Sequence, residues 1–178
     1  QPQGVESYGG GIISYGSANM MVNPELWAGG INTFWSIAVA VDMETGQVEI
    51  LDYVVTEDCG TLVNPMIVEG LAMGGIAQGI GTAMYEEIQY DANGQPNAST
   101  FADYLLPGPT EVPNMRIFHM ETPSPYTEFG QKGVGEGGAI GPGAAIANAV
   151  NDALHKLGVE ICEIPITPRR ILEAISLT

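Results

Sequence analysis

Residues 66–87, MIVEGLAMGGIAQGIGTAMYEE, constrain the fold more than any other stretch of the chain. The run is nearly all apolar. Asn64-Pro65 just ahead of it reads as a helix start, with asparagine as N-cap and proline at the first helical position. Yet the run carries Gly70, Gly74, Gly75, Gly79 and Gly81, and each glycine weakens a helix by about 1 kcal/mol relative to alanine. Five of them make sense only where something packs very close to the backbone. A membrane-spanning helix with GxxxG spacing competes, since Gly70/Gly74 and Gly75/Gly79 both qualify. Glu69 and Gln78 inside the run, and the lack of flanking Lys or Arg, argue against it. A buried, close-packed helix is expected.

The surroundings of this helix are read from local pattern. FWSIAVAVD and QVEILDYVV are β-rich runs joined by Met43-Glu44-Thr45-Gly46, a β-hairpin whose Gly46 supplies the positive φ of the turn. The turn Asp91-Ala92-Asn93-Gly94 and the prolines 107, 109 and 113 lead to a short strand near residues 115–120. A glycine cluster at 130–143 opens an amphipathic helix with Ile146, Ala149, Val150, Ala153, Leu154 and Leu157 on one face and Gly158 as its stop. A short strand at 160–164 follows, and Thr167-Pro168 caps a last helix through Ile171, Leu172 and Ile175. Residues 1–32 are rich in Gly, Ser, Asn and Tyr without a sustained period, and read as an N-terminal arm or lead-in to a domain at 33–178. The class is α+β: a mixed β-hairpin and sheet packed with glycine-rich and amphipathic helices.

Composition bears on partners. Of 178 residues, 5 are Lys or Arg and 21 are Asp or Glu, a formal charge of −16. The basic residues are Arg116, Lys132, Lys156, Arg169 and Arg170, so the first 115 residues have none. Such a surface repels phosphate backbones and anionic lipid, and neither nucleic acid nor a membrane is expected as a partner. Charged residues make up 15% of the chain, against about 25% in an ordinary soluble domain. With 45% hydrophobic residues, little remains to solvate a free-standing surface, and docking into a larger assembly is expected. No targeting segment is visible, and a chain that opens on Gln1 is expected to be cut, trimmed or processed there. Cys59 and Cys162 form no CxxC and fit a reducing, cytoplasmic setting.

The strongest chemical signal is the glycine cluster. Gly133-Val134-Gly135-Glu136-Gly137-Gly138 satisfies GxGxxG, but a dinucleotide site needs a strand immediately before it, and Pro123, Ser124, Pro125 and Glu128 are not a buried strand. Glu136 is flanked by Gly135 and Gly137, which lets a bulky ligand approach the backbone. Its carboxylate is a candidate positioned base, and an exposed loop acid is the alternative. Lys132 is a candidate contact for an anionic group, with a solvated loop lysine as the ordinary outcome. His119 and His155 have no ligand-spaced neighbours, so no protein-ligated metal is expected. Cys59 reads as a small buried residue.

Six segments, VDMETGQVEI, EDCGTLVNP, EGLAMGGIAQGIGTAMYEE, FADYLLP, GQKGVGEGGAIGPGAAIANAVNDAL and IPITPRRI, share their order and spacing with one family. Over about residues 33–172 the chain resembles the C-terminal part of the molybdopterin-binding large subunit of the xanthine dehydrogenase, aldehyde oxidase and carbon monoxide dehydrogenase family, the molybdenum hydroxylases. The resemblance implies that Glu136 is the general base beside the molybdenum, in a hydroxylation of an electron-poor carbon with water-derived oxygen. It implies that Lys132, Gly133, Val134 and Gly135 lie along a molybdenum–molybdopterin cofactor, with the cytosine dinucleotide form among the options. Gly70 and Gln78 match cofactor-side positions, whereas Leu71 stands where the family usually has a cofactor-contacting glutamine.

Electrons would pass to [2Fe–2S] and FAD on partner chains, so the implied partners are an iron–sulfur subunit, an FAD subunit, the remaining part of the molybdopterin subunit and a small-molecule substrate. The family's subunit is several times longer than this chain, which reads as a fragment or one piece of a divided subunit. A structural piece without chemistry and a dinucleotide-binding module are the rival readings.

Overall fold

The computed structural model describes residues 5–8, 11–21 and 32–176, with side chains from residue 33 onward. Its elements are β1 (Val5–Tyr8), β2 (Gly11–Met21), β3 (Asn32–Asp42), β4 (Val48–Asp58), α1 (Pro65–Met84), β5 (Met115–Met120), α2 (Pro142–Leu154) and α3 (Pro168–Ser176). The strands form one sheet in the order β1-β2-β3-β4-β5. Neighbours are antiparallel except β4 and β5, which run parallel. A parallel pair needs a long crossover, and α1 with the irregular segment after it supplies one. The expected α+β architecture is the one observed.

The hairpin forms as its sequence dictates. Gly46 has φ +72°, and its N–H donates to the Asp42 carbonyl at 2.8 Å. The Asp42 carboxylate accepts from the N–H groups of Glu44 and Thr45 at 2.8 and 3.1 Å, closing the turn. Alternation then sends Thr33, Trp35, Ile37 and Val39 inward from β3, and Tyr53, Val55 and Glu57 inward from β4. Residues 1–32, read as an arm with no regular element, contain β1 and β2, which extend the sheet. This corrects the expectation. Composition poor in β-formers hides β2, whose ladder to β3 runs from Ile13↔Asp42 to Met21↔Phe34 and needs only backbone groups. The rest of 1–32 lies outside the described residues.

The core lies between this sheet and the helices. α2 crosses β2 and β3 and also packs on α1, burying Ala145, Ile146, Ala149, Val150, Ala153 and Leu154 against Trp35, Ile37 and Val39. Leu157, expected on the same face, is 44% exposed. The helix tightens to a 3-10 turn at His155–Leu157, which rotates that side chain outward before Gly158 ends it with φ +70°. The expected strand at 160–164 is absent from the described residues. There Asn151 takes the place of a neighbouring strand: its amide accepts from the Ile161 N–H at 2.8 Å and donates to the Ile161 carbonyl at 3.0 Å. α3 starts as expected, with the Thr167 hydroxyl accepting from the Arg170 N–H. Among the described residues no helix is long and apolar enough to cross a membrane.

Candidate functional site

α1 begins where its cap residues put it, with the Asn64 side chain accepting from the Ile67 N–H at 3.3 Å. Its glycines divide into two sets. On the inner face, a Cβ at Gly75 would lie 3.0 Å from the Ala139 nitrogen, and one at Gly79 would run into the ring of Pro142. A Cβ at Gly81 would run into the Glu86 carboxylate and approach Pro107, and these three explain the close packing expected from the sequence. On the outer face, a Cβ at Gly70 or Gly74 would meet nothing within 4 Å. The helix is therefore buried on one side only. Ile67, Gly70, Leu71, Gly74 and Gln78 form an exposed, mostly apolar stripe at helical spacing. A helix that is apolar all round belongs in an interior, so the outer stripe is a surface that the described residues do not cover.

The glycine loop rests against this helix and is held at two points. At its near end, the Lys132 N–H donates to the Cys59 carbonyl at 2.7 Å, and Gln131 pairs with Gly60 in an antiparallel bridge. A Cβ on Gly60 would strike the Gly130 carbonyl and one on Gly130 would strike Pro123, and both glycines have positive φ, near +70° and +74°. At its far end Gly138 lies on α1, where a Cβ would sit 2.8 Å from the Ile76 nitrogen and overlap the Ala72 carbonyl. Between these supports the loop is an arch. Gly133 and Gly135 have nothing within 4 Å of a Cβ, and no described residue accepts from the N–H groups of Gly133, Val134 or Gly135.

Glu136 sits on this arch, exposed. Its carbonyl accepts from the N–H groups of Ala139 and Ile140 at 2.9 and 3.2 Å, fixing its backbone in the turn that leads to α2. Its carboxylate has no partner among the described residues. The contact of Gly138 with Ala72 brings the arch to the part of α1 that carries Gly70 and Leu71. Gln78 lies on the same exposed stripe, two turns or about 10 Å further along. The loop does not follow a strand, because β5 ends at Met120, so the geometry of a dinucleotide fingerprint is missing.

Lys132 departs from both sequence readings. Its side chain is only 6% exposed and its ammonium lies 3.3 Å from Asp58 Oδ1. It is neither a solvated loop lysine nor a free cation on the arch. Asp58 is pushed up by burial, but hydrogen bonds from Thr122, Gly60 and Lys132 outweigh that and hold its carboxyl below the usual value. Cys59 is buried, as expected, and burial with the neighbouring Glu57 raises its thiol.

One polar group was not anticipated. Thr33, Glu57 and His119 share one row across β3, β4 and β5. Glu57 is 1% exposed, and both its carboxylate oxygens, the Thr33 hydroxyl and His119 Nδ1 lack hydrogen-bond partners among the described residues. His119 Nδ1 lies 3.1 Å from Glu57 Oε1 without hydrogen-bond alignment. Desolvation prevails and pushes the Glu57 carboxyl up to about 7. The signal was available: an acid at the inward position of the alternation Tyr53, Val55, Glu57.

Residues 29–113 match the model of a molybdopterin cofactor-binding domain. The large subunit of nicotine 6-hydroxylase from Paenarthrobacter nicotinovorans is 42% identical over 139 residues, which is 78% of this chain and 17% of that subunit. A putative xanthine dehydrogenase molybdenum-binding subunit of Escherichia coli K12 is 32% identical over 170 residues, 95% of this chain and 22% of the relative. Among solved structures, quinoline 2-oxidoreductase from Pseudomonas putida 86 superposes with a TM-score of 0.80 at 47% identity, over 82% of this chain and 19% of that one. The chain spans about a fifth of the length of these relatives. The glycine arch, the cofactor-domain match and the agreement of both relatives and fold make this chain a member of the molybdopterin-binding subunits of the xanthine dehydrogenase, aldehyde oxidase and carbon monoxide dehydrogenase family.

Proposed function

We propose that this chain is the part of a molybdenum hydroxylase that presents the general base, Glu136, to the cofactor, in the hydroxylation of an electron-poor carbon with water-derived oxygen. The observation that carries the reading is the arch. Gly133 and Gly135 keep open the space where side chains would stand, beside an unpartnered carboxylate, and nothing else in the described chain uses that space. Backbone N–H groups at and beside two residues that lack a Cβ suit the oxygens of a large anionic cofactor.

When bound, the molybdenum–molybdopterin group supplies the centre that takes up the substrate's electrons. The residues of this chain bind, orient and move a proton. The backbone from Lys132 to Gly135 lines the cofactor's polar edge, while the Lys132 side chain stays with Asp58. Gly70 admits the cofactor close to α1, Leu71 offers it an apolar contact in place of a hydrogen bond, and Gln78 keeps a carboxamide on the same stripe. Glu136 accepts a proton at a carboxylate oxygen. The Ala139 and Ile140 N–H groups hold its backbone from the α2 side, which narrows where the carboxylate can stand and suits a base that must meet its proton in one geometry.

On the same reading, electrons leave to [2Fe–2S] and FAD on partner chains in the cytoplasm, and the remaining part of the molybdopterin subunit covers the outer stripe of α1. N-heteroaromatic compounds are the first substrate class to test, since relatives named for nicotine and quinoline align at 42% and 47% identity. The deciding experiment is Glu136→Gln in the complete enzyme. Turnover is expected to fall by about 10²-fold or more, with molybdenum per subunit unchanged. Unchanged turnover would overturn the base reading and leave the chain a structural part of the molybdenum domain.

A further inference from the structure

We propose that Asp58 is a positioning residue for the Glu136 arch and acts through Lys132. The inference rests on the proposed role of Glu136 and adds the device that holds that base in place. Asp58 is the last residue of β4, and three donors from three segments converge on its Oδ1. The Gly60 N–H reaches it at 2.9 Å from the turn after β4, and the Thr122 N–H at 3.0 Å from the segment after β5. The Lys132 ammonium reaches it at 3.3 Å from the glycine loop. One oxygen thus ties two rigid strand ends to the start of the arch.

The tie is directional in its effect. The Lys132 side chain is 6% exposed, and a buried ammonium that loses its counter-charge is strongly destabilised. With Asp58 neutralised, the favourable path for that ammonium is outward to water, and the start of the arch keeps only the Lys132 N–H bond to the Cys59 carbonyl and the Gln131–Gly60 bridge, a looser hold. Only three residues, Gly133, Val134 and Gly135, separate Lys132 from Glu136. The far end of the arch is fixed by Gly138 on α1, and Gly133 and Gly135 make no contact among the described residues that would hold the arch once its near end loosens. Loosening at Lys132 therefore widens the positions open to the Glu136 carboxylate.

Asp58→Asn in the complete enzyme isolates the charge, because Asn Oδ1 still accepts from both backbone N–H groups. Hydrogen–deuterium exchange at residues 131–137 is expected to speed up by about tenfold, the scale of one lost charge-assisted hydrogen bond, while α1 and α2 stay protected. The kcat is expected to fall by about 10- to 100-fold, with KM and molybdenum content unchanged. Lys132→Met removes the tie from the loop side, is expected to give the same pattern, and decides the matter alone if Asp58→Asn does not assemble. The two effects are expected not to add in the double variant, since both remove one interaction.

Wild-type exchange in the arch, or lowered kcat without faster exchange there, would overturn the proposal. Exchange does not depend on turnover, so a catalytically silent Glu136→Gln would refute the base reading without touching the tie.

Discussion

Gly141 lies flat on the indole of Trp35, so close that a methyl group at Gly141 would overlap the ring carbons. Trp35 is fully buried in the inward row of β3, and Gly141 is the last residue before α2. This contact sets how deeply the end of the glycine loop descends onto the sheet. Gly141→Ala is expected to destabilise the assembled protein by about 1–3 kcal/mol through overpacking, read as a lower midpoint in urea or heat.

A paired substitution separates glycines that serve the fold from those that serve a ligand. Gly138→Ala would drive its methyl into the α1 backbone at Ala72 and Ile76, and is expected to lower thermal stability. Gly135→Ala meets open space and is expected to leave stability within about 0.5 kcal/mol. Its expected effect is a reduced molybdenum content in the purified enzyme. Full cofactor loading in Gly135→Ala would count against the arch as a cofactor wall.

Asn151 bonds both backbone groups of Ile161. Asn151→Ala would leave an N–H and a carbonyl at this partly buried position without those partners, and a loss of about 1–3 kcal/mol is expected. Exchange at residues 159–163 should rise before any change in α1.

Glu57 gives a pH signature. Its carboxyl has an ordinary value of 4.5 and is raised to about 7 by burial, so the folded chain holds a proton that the unfolded chain releases. The stability from this group is full below the unfolded value and is lost as pH rises through about 7. Glu57→Gln cannot ionise and is expected to gain on the parent protein as pH rises from about 5 to about 8, by up to about 3 kcal/mol. Thermal scans across that range check the sign: a variant that loses ground toward high pH would contradict it.

Much of the fold was legible because its elements carry local signals. Asn64-Pro65, Thr167-Pro168 and the Met43–Gly46 turn are settled within a few residues by capping and φ preference, and α2 by its apolar spacing. What escaped depends on groups distant in sequence. β2 is specified by backbone pairing to β3 and has no clear alternation of its own. The segment around Ile161 looks like a strand, but its pairing groups are taken by one asparagine side chain. In the site, the loop and Glu136 were visible as a pattern, whereas the burial of Lys132 was not, because its partner Asp58 lies on another element. Apolar character all round α1 announced close packing, but sequence alone does not say that Gly75, Gly79 and Gly81 find it among the described residues whereas Gly70 and Gly74 do not.

That division on α1 has a consequence for how substitutions accumulate in homologues. Gly75 and Gly79 press on Ala139 and Pro142, so variation at these two sites should track variation a few dozen residues away in the same polypeptide. Gly70 and Gly74 meet nothing among its described residues. Their covarying partners should lie in other sequence altogether, and an alignment that includes only this stretch would score them as independent. A single helix thus keeps two separate records, one of its own fold and one of whatever it faces.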